Sequence, residues 1–119
     1  MGSDGGNILR QELADIEAML FEINTAVGID MRADLLESYF PTQDECLLGL
    51  KEAILVVDEV QIAGFSHKLK GAAAQLGARK ISSICKDIEL KARKNQLDGI
   101  AKLLSELEQL CTSVKAGLV

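Results

Sequence analysis

Residues 58–77 read DEVQIAGFSHKLKGAAAQLG, and this stretch decides the fold. Asp58 can cap a helix and Gly77 can end one in the left-handed conformation, so the segment Asp58–Leu76 is bounded on both sides. Within it Ile62, Phe65, Leu69, Ala72, Ala73 and Leu76 recur at spacings of three and four, the pattern of a helix that buries one face. At about 100° per residue, His67 falls roughly 170° from the centre of that stripe and points to solvent. Its neighbours on the outer face are Val60, Ala63, Gly64, Lys70, Gly71 and Ala74, where a solvated helix would carry Glu, Lys and Gln. Gly64 and Gly71 lie three before and four after His67, and each costs on the order of 1 kcal/mol relative to Ala. The cost makes sense if a bulky partner must approach the imidazole closely.

An exposed histidine on a helix is also, by position alone, an ordinary polar surface residue, and that reading stays open here. A functional imidazole is a base, a metal ligand or a phosphoryl acceptor. His67 is the single histidine of the chain and no cysteine shares its face, so metal binding is poorly supported. Ser66 points about 100° away, so no nucleophile is placed for His67 to activate. Phosphoryl acceptance fits, because it needs an exposed imidazole and a nearby cation, here Lys70, with the catalytic apparatus on the partner.

Working outward, apolar periodicity predicts helices from about Asn7 to Ala26, Asp30 to Val57, Ala78 to Lys94 and Leu97 to Lys115. Asn7 is the expected cap of the first and Gly28 its stop, while Asn95 follows the fourth. Pro41 is expected to kink or briefly break the second helix. Connections of one to four residues make neighbours antiparallel. The expected fold is all-α: an up-down-up-down four-helix bundle, with an additional N-terminal helix packed against it or capping one end. Residues 7–119 read as one domain, and Met1 to Gly6 as a flexible tail or expression remnant.

Composition agrees with this. The chain has 119 residues, 48 % of them hydrophobic, and its aromatics are only Phe21, Tyr39, Phe40 and Phe65, too few for a β-sandwich. A net charge of −5 argues against nucleic acid or anionic membrane as partners. No apolar run approaches the ~18 residues of a membrane span, and no secretory leader is visible, so a cytoplasmic location is expected. Cys46, Cys85 and Cys111 lack metal-ligand spacing and sit in apolar patterns, as buried reduced thiols would. The stripes are fully used within one bundle, so a monomer is expected.

The string from Phe65 to Ala78 resembles the signature of histidine phosphotransfer (HPt) domains: His-x-Leu-Lys-Gly, then small residues, then Leu-Gly. The likeness continues through Ile81, Ile84-Cys85, Ile88-Glu89 and Ala92-Arg93, and spans roughly Asp30 to Leu110. The N-terminal helix is less distinctive, and Pro41 is not a feature carried over from the family. The resemblance implies that His67 is phosphorylated through Nε2, with Lys70 and Arg93 offsetting the charge. Gly64, Gly71, Ala74 and Lys68 would serve access and docking, and Glu89 would accept a hydrogen bond from Nδ1 and so orient the ring. By themselves Glu89 and Arg93 read as ordinary helix-surface side chains.

The same resemblance makes the chain a phosphocarrier without kinase activity of its own, binding no cofactor. Mg²⁺ and the aspartyl phosphate would come from the partner, a receiver domain of a hybrid sensor kinase or of a response regulator. Lys68, Lys70, Arg79, Lys86 and Arg93 would complement an acidic receiver site, while Lys91 and Lys94 read as merely solvated. The chain fits both a short independent protein and a C-terminal cytoplasmic domain of a membrane-bound hybrid kinase. Two other readings compete: an adaptor of the same fold that is never phosphorylated, and a sensor-kinase dimerisation helix pair. In the latter an acidic residue typically follows the histidine, whereas here Lys68-Leu69-Lys70-Gly71 follows.

Overall fold

A computed structural model describes residues 3–119 and places them in helices α1 (Ser3–Val27), α2 (Arg32–Leu55), α3 (Glu59–Leu76), α4 (Arg79–Arg93) and α5 (Ile100–Leu118). Helix α3 has the bounds that its end signals dictate. The Asp58 carboxylate accepts from the Gln61 N–H at 3.1 Å, and Gly77 takes φ +85° while Ala78 N–H returns to the Ala73 carbonyl at 2.8 Å. Gly77 is needed twice over. A Cβ there would stand 2.7 Å from Met19 Cβ and 2.9 Å from the Asp15 carbonyl oxygen, because α1 crosses at this point.

Helix α4 follows at once, and its N-cap residue Ala78 has no side chain to offer. The cap comes from another helix. Glu12 of α1, buried, accepts from the backbone N–H groups of Lys80 and Ile81 at 2.8 Å each. Burial pushes the Glu12 carboxyl up, while the two backbone hydrogen bonds pull it down.

Several boundaries differ from the sequence reading. Helix α1 starts at Ser3, so Asn7 lies inside it and does not cap it, and residues 3–6 of the expected tail are helical. Met1 and Gly2 lie outside the described residues. Gly28, at φ +86°, does stop α1. Helix α2 runs unbroken through Pro41, so the helix is not split. Pro41 is exposed, leaving the carbonyl one turn back open to water, while Tyr39, Phe40, Gln43 and Cys46 on either side are buried. Val56 and Val57, expected in α2, instead form the turn to α3, with Val57 at φ +54°. Helix α5 begins at Ile100 after a connection of residues 94–99, longer than the one to four expected. Asn95 at φ +56° and Gly99 at φ +79° turn the chain there.

Helices α2 to α5 form the four-helix bundle: α2 packs on α3, α3 on α4, α4 on α5, and α5 closes back on α2. Helix α1 is the additional N-terminal helix and lies against α5, α4 and α3. Leu50, Leu69, Ile81, Ile88, Leu107 and Val114 are among the fully buried side chains that fill the centre. Helices α2 and α3 pack tightly at Gly49, where a Cβ would stand 2.5–2.6 Å from the Phe65 ring. Arg32 at the start of α2 pairs with Glu17 and donates to the Leu118 carbonyl at 3.3 Å, tying α1, α2 and the end of α5 together.

All three cysteines are buried and free. Burial pushes their thiols up, Cys85 to about 12, so they behave as small apolar residues. Among the described residues no helix is long and apolar enough to cross a membrane, and no cluster of His, Cys, Asp and Glu could hold a metal ion.

Candidate functional site

The pairing of α3 with α4 sets His67 opposite Glu89. The His67 side chain is 63 % exposed, and its Nδ1 lies 3.0 Å from Glu89 Oε2. Glu89 is only 7 % exposed and receives two further partners. Lys70, one turn beyond His67, donates Nζ to Oε1 at 2.8 Å. Arg93, one turn beyond Glu89, donates Nε and Nη2 to Oε2 at 2.9 and 2.7 Å. Burial by itself would raise the Glu89 carboxyl. Hydrogen bonds from Lys70, Arg93 and His67 outweigh it and hold the group down at about 2.

An ionised carboxylate can only accept a hydrogen bond, so Nδ1 is the donor in the His67–Glu89 pair. In a neutral imidazole the lone pair then belongs to Nε2, on the far side of the ring from Glu89. This geometry leaves an outward nucleophilic nitrogen on a ring held from behind.

The structure brings His67, Lys70, Glu89 and Arg93 together around one carboxylate. Gly64, Gly71 and Ala74 are exposed on the same helix as His67. A Cβ at Gly64 or Gly71 would meet nothing within 4 Å, and neither has a positive φ, so nothing within the chain requires glycine at either position. Lys68 is exposed and pairs with Glu45 of α2 at 3.0 Å. Ser66 is buried and donates its hydroxyl to the Ile62 carbonyl at 2.7 Å. Ser82 of α4 donates to the Lys70 carbonyl at 3.1 Å, a further tie between α3 and α4 beside the site.

Two expectations for this surface are corrected. Ala63 is buried, not on the outer face, because α3 packs against α4 as well as α2 and its apolar arc is wider than one stripe. Arg79 does not join the basic rim: it lines a groove with Asn7, Gln11 and Asp15 between α1 and α4, ten residues or about 15 Å of helix from Glu89. Glu12 escaped the sequence reading altogether, although a carboxylate in line with Leu9, Ile16 and Leu20 on an apolar stripe was the signal.

Residues 34–117 match the family model described as Hpt domain, and the chain belongs to that family. The matched span takes in nearly all of α2 to α5 and leaves α1 outside. Multistep phosphorelay regulator 1 of Schizosaccharomyces pombe (strain 972 / ATCC 24843) is 30 % identical over 87 residues, which are 73 % of this chain and 30 % of that protein. The chain thus spans less than a third of that relative's length. The crystal structure of histidine-containing phosphotransfer protein B from Pseudomonas aeruginosa PAO1 superposes with a TM-score of 0.79 at 23 % identity. That match covers 85 % of this chain and 87 % of the other and shows a shared fold.

Proposed function

We propose that His67 takes a phosphoryl group from the aspartyl phosphate of one receiver domain and passes it to the aspartate of another. The observation that carries this is the His67 Nδ1 contact with the ionised, buried Glu89, which leaves Nε2 free to attack. The Nε2 lone pair forms the bond to phosphorus as the bond to the aspartate oxygen breaks, and the carboxylate leaves with the electron pair. The Nδ1 proton stays on the ring, facing Glu89, and balances part of the new charge. The reverse step, with a second aspartate as nucleophile, returns the imidazole to its starting state.

Such a transfer depends on positioning and charge stabilisation more than on covalent help from this chain. Lys70 of α3 shares the Glu89 carboxylate with the ring and brings a cation to that side of the site. Gly64, Gly71 and Ala74 leave the approach open, and Lys68 borders it. The receiver supplies the Mg²⁺, and the chain acts as a carrier with no kinase activity of its own. The partners are receivers of a hybrid sensor kinase and of a response regulator, in the cytoplasm, with this chain a monomer.

The test uses a receiver domain labelled at its aspartate and follows the label. Acid-labile, base-stable label should reach the wild-type chain and not His67→Gln. Label that persists in the variant, or none in the wild type, sinks the proposal.

A further inference from the structure

The turn that joins α2 to α3, with the helix ends on either side of it, carries side chains that such a surface normally avoids. Leu55, Val56, Val57 and Val60 are 76, 73, 58 and 80 % exposed, where Gly, Asn, Asp or Ser would be the ordinary choice. Val57 also takes φ +54°, a left-handed conformation in which a β-branched residue is strained. Folding gains little from side chains left this open, so burial within the chain does not account for them.

The patch is continuous with the His67 face. Val60, Gly64 and His67 follow one another at spacings of four and three on one side of α3, which puts Val60 about 10 Å along the helix from His67. Between them, the space above Gly64 is open. Beside this track runs a groove of about 520 Å³ between α3 and α4, its floor of Val60, Ala63, Gly64 and Ala92 bordered by the polar Glu59, Arg93 and Asn95. Beyond His67 in the other direction, the exposed residues of α3 are Lys68, Gly71, Ala74 and Gln75, with no large apolar side chain among them. A standard interface covers about 800 Å² per partner, a disc roughly 30 Å across. A domain whose reacting group sits at Nε2 therefore reaches the patch.

We infer that the receiver domain docks off-centre, resting an apolar surface on Leu55, Val56, Val57 and Val60 while its aspartyl phosphate meets His67. This inference rests on the phosphocarrier reading and adds where the partner's weight falls. The apolar end holds the receiver, and the small residues around His67 let its active site close in.

The variant Val56→Ser/Val60→Ser changes only exposed side chains, and circular dichroism checks that its helix content is intact. Two donors separate docking from chemistry: phosphoramidate, a small molecule that needs no docking surface, and a receiver domain phosphorylated with acetyl phosphate in Mg²⁺. The variant should take label from phosphoramidate at the wild-type rate, and from the receiver at least about tenfold more slowly. Phe21→Ser, a comparable loss on exposed α1, should match the wild type with both donors. Receiver transfer within about twofold of wild type in the Val56/Val60 variant overturns the inference. So does a concentration-dependent dimer of the wild type that the variant abolishes, since the patch would then serve a second copy. A wild type labelled by phosphoramidate but by no receiver instead sinks the carrier reading itself.

Discussion

Arg93 grips Glu89 by the same carboxylate oxygen that faces His67 Nδ1: its two nitrogens lie 2.9 and 2.7 Å from Oε2, and Nδ1 lies 3.0 Å from it. Among the described residues, all the side-chain hydrogen bonds of Arg93 go to Glu89, and none to the imidazole. The family resemblance gives Arg93 the role of offsetting the phosphoryl charge. The geometry in the free chain favours action at one remove, with Arg93 and Lys70 fixing the position and charge of the carboxylate that orients the ring.

A double-mutant cycle separates these two roles. If Arg93 acts through Glu89, Arg93→Met should shift the phosphoryl equilibrium between receiver and His67 by roughly three- to tenfold, about 1 kcal/mol of coupling. The same substitution should be nearly silent in a Glu89→Gln background. An equal effect in both backgrounds would mean that Arg93 touches the phosphoryl group directly. The label distribution at equilibrium, read by gel autoradiography, gives all four corners.

Stability should carry the signature of Glu89 in acid. Its carboxyl is lowered from 4.5 to about 2 in the folded chain. A depressed folded-state value means that the contribution is complete above about 4.5 and is lost as pH falls through about 2. With Lys70 and Arg93 partly exposed to water, that contribution is on the order of 2 kcal/mol. Urea unfolding of wild type and Glu89→Gln at a series of pH values measures it. The gap between the two should narrow from pH 5 toward pH 2, and a constant gap would count against the ion-pair network.

Gly71 should trade stability for access. Helical and without a neighbour at its Cβ position, it can become alanine without a clash in the folded chain. Gly71→Ala should therefore raise stability by about 0.4–1 kcal/mol through the unfolded state. Gly71→Leu should keep the fold and slow transfer from a receiver several-fold, leaving phosphoramidate labelling unchanged. Unaltered receiver transfer in Gly71→Leu would show that the glycine has nothing to do with approach.

What could be read from the sequence was local. Asp58 and Gly77 sit next to the ends they make, so α3 was legible to within one residue, and helical periodicity alone turned His67 outward. Where an end depends on another helix, the pattern misled: Leu97 is apolar and packs on the core, yet it precedes α5 because Gly99 turns the chain after it. A single stripe puts Ala63 outside, whereas α3, packed on both α2 and α4, buries a wider arc. Glu89 could be singled out only through the family resemblance, since its meeting with His67 spans twenty-two residues of sequence and depends on how α3 and α4 align.

Glu12 is the clearest case of information that only tertiary structure supplies, and it carries the last prediction. An alanine at the start of α4 leaves its first N–H groups without a local acceptor, and Glu12 fills that need from α1. Glu12→Ala would strand those donors beneath α1 and should cost about 2–3 kcal/mol in chemical unfolding. Glu12→Gln keeps one acceptor oxygen but sets an NH₂ donor against the second backbone N–H, so a loss of about 1 kcal/mol is expected. The pH response should differ in sign from that of Glu89. Because burial raises the Glu12 carboxyl, the folded chain binds this proton more readily than the unfolded one. Its contribution to stability therefore grows as pH falls toward 4.5, and that rise should vanish in Glu12→Gln. A Glu12→Ala chain as stable as wild type would mean that the cap is dispensable and that α4 is held by its apolar face alone.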